Sequence, residues 1–197
     1  MLITKPYNRD RAVMYARKWA LSRNPLFADY TGFGGNCTNF VSQSLFAGGC
    51  VMNFTPVFGW YYIDQRYRTA SWTGVDFFYN FITQNMGEGP FAKEAIAEEI
   101  MPGDVVQLGR EGEGFYHTLL AVGRDVDSTI LVAAQSDNVL DRRLSTYRYD
   151  FVRFLHVEGV RMEVRDFADC FPALYEGTSL VVNGEGKDAP APLDGAE

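Results

Sequence analysis

Histidine and cysteine are scarce in this chain. Its 197 residues contain two histidines and three cysteines, and neither a C-x-x-C nor an H-x-x-x-H pair occurs. These spacings hold zinc in many proteins, so their absence disfavours a zinc site. The cysteines, Cys37, Cys50 and Cys170, are odd in number and irregularly spaced, which is not typical of a disulfide framework. We expect three free thiols.

Excess basic charge and long apolar runs are also lacking. Eighteen Lys and Arg residues stand against 25 Asp and Glu, a net charge of -7. Proteins that bind nucleic acids usually carry a basic patch, so we expect no nucleic-acid partner. No apolar run approaches the roughly 20 residues of a membrane-spanning helix, and the N-terminus turns polar before a signal-peptide core develops. The sequence as written predicts a cytoplasmic protein without a membrane span, or an extracellular one if a leader was removed.

The composition is that of a folded domain with many aromatic rings. Hydrophobic residues make up 47% of the chain, charged residues 22% and aromatic residues 15%, and a chain of this length forms one domain with a sizeable core. From residue 183 onward the sequence is rich in Gly, Pro and acidic residues and has little apolar surface to bury. We predict a single domain over residues 1–182 and a disordered tail or linker over residues 183–197.

A predicted helix between glycines carries Cys37. Residues 34–49 read GGNCTNFVSQSLFAGG, with apolar residues at helical spacing and two final glycines that suit a left-handed cap. Cys37 falls in the first turn, where the helix dipole and free backbone N–H groups favour an anion. This position lowers a thiol's pKa and offers N–H donors to an oxyanion. The alternative is a small buried cysteine at the start of an ordinary helix.

The remaining pattern predicts a mixed α+β chain. Apolar spacing and capping residues predict helices over residues 9–23, with Asn8 as the cap, over 73–85 and over 92–100. Alternating or continuous apolar runs predict strands over residues 105–108, 116–122, 129–135, 146–157, 160–164 and 178–182.

Two of these strands bring a histidine beside polar side chains. A hairpin centred on residue 126 sets His117 opposite Gln135, with Asp137 as the diagonal neighbour on the same face, and a slip of one residue would separate them. A thiol, an imidazole and a polar carbonyl or carboxylate are the three parts of a cysteine nucleophile system. We therefore predict Cys37 as nucleophile, His117 as base, and Gln135 or alternatively Asp137 as the group that orients the imidazole. His156, in a strand of Tyr and Phe residues, is expected to be a satisfied core or surface histidine.

Six residues near these positions are candidate substrate contacts. They are Tyr30, Asn36 and Thr38 around the cysteine, Tyr116 beside the histidine, and Trp60 and Trp72 in an aromatic segment over residues 50–90. The two tryptophans are interpreted either as a groove wall or as a hydrophobic cluster beneath a long loop. Tyr30 either helps to hold an oxyanion or packs at the helix entrance.

Several of these segments resemble the bacterial putative amidase domain. The resemblance is carried by residues 35–43 (GNCTNFVSQ), by YNR at 7–9 with AV at 12–13 and YA at 15–16, by AGG at 47–49, WYY at 60–62, SWTG at 71–74, PGDV at 102–105, and His117. That family is related to CHAP and NlpC-type cell-wall peptidases. The resemblance implies a papain-like α+β fold in which the Cys37 helix packs against an antiparallel sheet. It further implies that Cys37 attacks an amide carbonyl, that His117 takes and returns the proton, and that a polar residue near Gln135 orients the imidazole. Peptide amides of bacterial cell walls are the implied substrate class.

The chain departs from that family at two positions. Asn36 stands where members usually have Asp before the cysteine, and Gln135 stands where many have a second His. An uncharged orienting residue favours lower activity or a silent copy. Two alternative functions therefore stay open: a catalytically silent module that binds a peptide or glycan in the aromatic groove, and an acyltransferase that uses the same Cys-His pair. The proposed chemistry requires no metal or organic cofactor.

Overall fold

A computed structural model describes residues 1–164 and 168–179. In these ranges one antiparallel sheet has the strand order β1-β7-β3-β4-β5-β6, with β2 also paired to β7. The elements are β1 (Leu2–Lys5), α1 (Arg9–Trp19), α2 (Cys37–Gly49), α3 (Ala70–Thr73), α4 (Val75–Gln84), β2 (Gly89–Ala95), β3 (Val105–Arg110), β4 (Gly114–Arg124), β5 (Ile130–Ala134), β6 (Val139–Arg143), β7 (Phe151–Glu163) and α5 (Phe171–Glu176). The predicted mixed α/β class with an antiparallel sheet is confirmed.

Hydrophobic cores lie on both faces of the sheet. Alternate residues of β4 divide between them: Leu120 packs with the residues of α1 and α2, and Leu119 packs on the opposite side against β5. This alternation follows from the two-residue period of a strand. The side-chain hydroxyls of Thr38 and Thr118, 2.9 Å apart, join the first turn of α2 to β4. The helix that carries Cys37 is thus fixed directly on the strand that carries His117.

The predicted helix around Cys37 is confirmed, but its glycines serve another purpose. Gly48 and Gly49 lie inside α2, and every residue of α2 is buried. A Cβ atom at Gly48 would lie 2.3 Å from the Tyr7 ring, so this glycine permits close packing. The left-handed cap is instead Cys50, with φ of 55°.

Tertiary pairing overrides several local predictions. Residues 92–100 are not a helix, because 92–95 belong to β2 and pair with β7 and only 97–99 form a 3-10 turn. Residues 146–157 and 160–164 contribute to one strand, β7, and α1 ends at Trp19. The short strands β1 and β6 were not predicted. Residues 180–182 of the predicted closing strand and the predicted tail over 183–197 lie outside the described residues.

The prediction of three free thiols is wrong, because Cys50 and Cys170 form a disulfide. They are 120 residues apart in sequence, a distance over which spacing carries no signal. The fold brings the residue after α2 beside the residue before α5. The bond therefore attaches the described C-terminal segment to the end of the cysteine-bearing helix and leaves Cys37 as a free thiol.

No helix within the described ranges is long and apolar enough to cross a membrane.

Candidate active site

The loop before α2 holds Cys37 in place through Asn36. The Asn36 amide accepts the backbone N–H of Tyr30 at 3.0 Å and donates to the side-chain oxygen of Gln135. Its backbone N–H donates to Oγ of Ser136 at 2.7 Å. Each bond ties the entrance of the helix either to its own loop or to the turn after β5. Cys37 is therefore positioned from two sides, and an Asn at position 36 has a structural role that uses both ends of its amide.

The thiol of Cys37 interacts with the imidazole of His117. Burial alone raises the pKa of Cys37, but the hydrogen bond and positive charge of His117 outweigh it, aided by the Thr118 backbone N–H and the Thr38 hydroxyl. The resulting pKa of Cys37 lies below its ordinary value. Burial lowers the pKa of His117, whereas Asp137 and Cys37 raise it, to about 9. A lowered thiol pKa beside a raised imidazole pKa favours a thiolate–imidazolium pair at neutral pH.

A β-bulge in β4 sets the direction of the His117 side chain. Leu108 of β3 pairs with His117 while its neighbour Gly109 pairs with Phe115, so Tyr116 is an extra residue without a partner on β3. Bulges of this kind redirect side chains and recur beside active sites. Here the rings of Tyr116 and His117 lie nearly parallel, at 10°, with centroids 6.1 Å apart. Two consecutive residues thus place their rings side by side, which regular strand alternation would prevent.

Asp137 is the carboxylate beside His117. Its Oδ1 lies 3.6 Å from Nε2 of His117, an ion-pair distance rather than a close hydrogen bond. Its Oδ2 accepts the Tyr147 hydroxyl at 3.1 Å and lies 3.3 Å from Nη1 of Arg142. Burial raises the pKa of Asp137, but His117 and Tyr147 lower it below its ordinary value overall. The carboxylate is therefore charged at neutral pH and supports the positive charge on His117.

The Gln135 side chain makes its hydrogen bonds to Asn36, Trp19 and Ser22 and none to His117, and this corrects its predicted role as the first choice of orienting residue. Beyond an irregularity between Ala121 and Gly123, the pairing of β4 with β5 sets Leu120 opposite Ala133, so residue numbers in this part of the hairpin sum to 253 rather than the predicted 252. A slip of one residue moves a side chain to the other face. Gln135 accordingly donates to the backbone oxygens of Trp19 and Ser22, each at 2.7 Å. The position beside the imidazole belongs to the predicted alternative, Asp137.

One family of known proteins matches most of this chain. The family model described as "Putative amidase domain" matches residues 6–157. The chain belongs to this amidase family. Its sequence is also similar to the uncharacterized protein YhbB of Bacillus subtilis strain 168, with 37% identity over 147 residues. That match covers 73% of the chain and 45% of YhbB, so the chain spans less than half the length of this relative. No solved structure matches, and the papain-like fold stays a prediction.

The two predicted groove tryptophans do not line a groove. Trp60 and Trp72 are fully buried, their ring centroids lie 4.6 Å apart, and their indole N–H groups donate to Ser42 and Asn39 of α2. A buried indole whose N–H is satisfied belongs to the core. The predicted groove wall is therefore wrong, and the alternative of a hydrophobic cluster is confirmed. The binding-module interpretation loses the groove on which it was based.

The other candidate substrate contacts divide by burial. Tyr30, Asn36 and Thr38 are all buried. Tyr30 packs in the hydrophobic core with residues of α2, and its alternative role toward an oxyanion stays a prediction. Tyr116 is only partly buried, and its hydroxyl donates to the backbone oxygen of Arg148 at 3.1 Å. Of the six candidates, Tyr116 is the one that keeps accessible surface beside His117.

The second histidine of the chain has a hydrogen-bond partner, as predicted. Nδ1 of His156 lies 2.8 Å from Oδ2 of Asp104, which is completely buried. The same carboxylate accepts Arg9 at 2.6 Å and the backbone N–H groups of Met101 and Val157, each at 2.9 Å. This cluster joins α1, the turn before β3, and β7. In the described residues no group of three or more His, Cys, Asp or Glu side chains could hold a metal ion.

Proposed function

We propose that this amidase is a cysteine hydrolase in which Cys37 is the nucleophile, His117 the general acid and base, and Asp137 the residue that orients and charges His117. The observation that carries the proposal is the coupling of Cys37 and His117 at the N-terminus of α2, with the pKa of the thiol lowered and that of the imidazole raised to about 9. A shift of this kind between a thiol and an imidazole is typical of a catalytic pair.

The proposed reaction proceeds through a thioester. The thiolate of Cys37 attacks the carbonyl carbon of the amide, and the developing oxyanion accepts hydrogen bonds from free backbone N–H groups in the first turn of α2. The His117 imidazolium donates its proton to the leaving nitrogen as the C–N bond breaks, which releases an amine. Neutral His117 then takes a proton from water, whose oxygen attacks the thioester carbonyl. The carboxylic acid leaves, and the thiolate–imidazolium pair is restored.

Peptide amides of bacterial cell walls are the substrate class that we propose. The support is the resemblance of the cysteine block to the putative amidase domain, whose relation to CHAP and NlpC-type peptidases is part of the proposal, together with a helix-borne cysteine packed on an antiparallel sheet. The Cys50–Cys170 disulfide supports a location outside the cytosol, because disulfides persist in oxidising compartments. An extracellular location is also where a cell-wall substrate would be found.

The proposed function is tested by hydrolysis of purified peptidoglycan peptides, with new amines measured by mass spectrometry. We expect turnover by the disulfide-bonded protein, its loss in Cys37→Ala, and a covalent acyl adduct on Cys37 when the reaction is quenched with acid. Turnover that survives in Cys37→Ala would contradict the nucleophile assignment. Adding a free amine distinguishes hydrolysis, which yields the acid, from acyl transfer, which yields a new amide.

A further inference from the structure

A basic cavity adjoins the candidate active site. It has a volume of about 330 Å³ and is lined by Arg110, Tyr147, Arg148, Tyr149 and Asp150. This volume is within the range of small-molecule sites, which begins at roughly 300 Å³. The lining comes from the end of β3 and from the segment that leads into β7. None of the sequence candidates for substrate contact belongs to it.

Two aromatic residues connect this cavity with the catalytic histidine. Tyr147 lines the cavity, donates its hydroxyl to Asp137 at 3.1 Å, and places its ring centroid 6.0 Å from that of His117. Tyr116, on the other side, places its ring 6.1 Å from His117 and lies beneath the Arg110 guanidinium, whose carbon is 4.5 Å from the ring centroid. The cavity is therefore separated from His117 by single side chains.

The charges of the lining favour an anion. Arg148 has no carboxylate partner among the described residues. Arg110 lies 3.7 Å from Glu113, and both side chains are about half exposed, so this pair is weak. Asp150 is the acidic residue of the lining, and its Oδ2 accepts the backbone N–H of Glu111 at 2.8 Å. The lining thus contains two arginines and one aspartate, and the carboxylate of that aspartate already accepts a backbone N–H, in a chain whose net charge is -7.

We propose that this cavity binds a carboxylate group of the substrate, so that the enzyme prefers peptides with an acidic group near the scissile amide. The inference rests on the proposed function, because the cavity is a subsite only if Cys37 and His117 are catalytic. Arginine recognises carboxylates through two parallel N–H donors, which gives both affinity and orientation. Arg148 is the principal contact and Arg110 the supporting one.

The subsite is tested by binding measurements in a Cys37→Ala background, which prevents turnover. The probes are the tripeptide L-Ala-γ-D-Glu-L-Lys and its counterpart in which the free carboxylate of D-Glu is a carboxamide. Affinities are measured by isothermal titration calorimetry at low and at moderate salt. We expect the acid to bind about tenfold more tightly than the amide, the ratio that one charge-assisted contact gives. The preference should disappear in Arg148→Gln and decrease in Arg110→Gln.

Arg66→Gln is the matched control, because Arg66 is exposed and does not line the cavity. It removes the same charge and should keep the tenfold preference, whereas an effect of net charge alone would reduce the preference in all three variants. Equal affinity for acid and amide, or binding of neither, would overturn the subsite. That outcome is independent of the nucleophile assignment, which is decided by the acyl adduct on Cys37 and the loss of turnover in Cys37→Ala.

Discussion

The chain contains two histidines, and each lies beside an aspartate. His156 is 2.8 Å from Asp104, and His117 is 3.6 Å from Asp137. Asp104 is completely buried and receives further bonds from Arg9 and from two backbone N–H groups, so its acceptor positions are filled. Asp137 is about one-third exposed. The other group that interacts with its histidine, His117, is the thiol of Cys37.

The difference shows that a His-Asp pair does not by itself indicate catalysis. The environment of each pair decides its role. In the Asp104 cluster an arginine neutralises the carboxylate and the bonds connect separate elements, which is a structural function. At Asp137 the raised pKa of His117 keeps a proton on the imidazole beside the Cys37 thiol, the nucleophile of the proposed function. The predictions below test this contrast.

The largest expected effect separates the two histidines by reactivity. In His117→Ala, burial of the Cys37 thiol is no longer offset by the imidazolium, so its pKa rises and its alkylation by iodoacetamide at pH 6.5 should slow by about 100-fold or more. In His156→Ala the rate should stay within about twofold of the parent protein, because distant sites act independently. Rates are measured at Cys37 by mass spectrometry with the disulfide intact. Similar slowing in both variants would refute the contrast.

The second prediction separates the two aspartates by stability. Asp104→Ala leaves Arg9 and His156 without their buried partner and should lower the free energy of unfolding by about 3 kcal/mol, the lower end of the range for breaking a buried pair, because both side chains keep some solvent contact. Asp137→Ala should cost less than about 1 kcal/mol, as expected for a partly exposed pair. Urea denaturation of the oxidised proteins measures both values. The reverse order would show that the Asp104 cluster is not the structural one.

How well the sequence predicts this site depends on how far apart in sequence the interacting residues are. The Asn8 cap and the placement of Cys37 in the first turn of α2 follow from neighbouring residues, and both are confirmed. The pairing of β4 with β5 also follows from the pattern, but its register does not. An irregularity between Ala121 and Gly123 shifts the pairing, and nothing in the local pattern of apolar residues marks it. That shift moves Gln135 away from His117, whereas Asp137 lies beyond the end of β5 at Ala134, after Ser136 in left-handed backbone with φ of 85°, so its position depends on the turn and not on the register.

Interactions between distant segments were beyond the sequence pattern. The disulfide and the Asp104 cluster each join residues more than 50 positions apart. The aromatic segment illustrates the same limit of the sequence pattern, since tryptophans such as Trp60 and Trp72 are found both in binding grooves and in hydrophobic cores. Only the position of their N–H donors against α2 distinguishes the two. The bulge at Tyr116 likewise depends on its partner strand, β3.

The third prediction concerns pH. In the proposed mechanism hydrolysis requires the Cys37 thiolate and a protonated His117. Its rate should therefore fall above about pH 9, where His117 loses its proton, by up to tenfold per pH unit. Alkylation requires only the thiolate and should not fall there. Asp137→Asn removes the charge that raises the pKa of His117, and should move the alkaline limb of hydrolysis to lower pH.

Gln135→Ala is the control for that experiment. Gln135 bonds to backbone oxygens rather than to the imidazole, so its removal should lower stability without moving the alkaline limb. Rates of hydrolysis across pH 6 to 10 and urea denaturation measure the two quantities. An unchanged profile in Asp137→Asn would remove Asp137 from the catalytic group, whereas a shifted profile in Gln135→Ala would restore Gln135 as the orienting residue.

The smallest expected effect comes from a single hydroxyl beside each pair. Tyr147→Phe keeps the ring next to His117 and Arg142 but removes the hydrogen bond to Asp137. Because Arg142 remains at 3.3 Å, the carboxylate loses only part of its support, and hydrolysis should slow by about threefold to tenfold, as for one hydrogen bond. The matched change is Tyr7→Phe, which removes the bond from Tyr7 to the backbone oxygen of Gly103. That variant should lose about 1 kcal/mol of stability and keep its rate. Both changes delete one oxygen atom from a tyrosine next to a His-Asp pair. A rate loss in Tyr147→Phe alone would assign catalysis to the His117–Asp137 pair and structure to the His156–Asp104 pair. Equal rate losses in both variants would attribute the effect to packing.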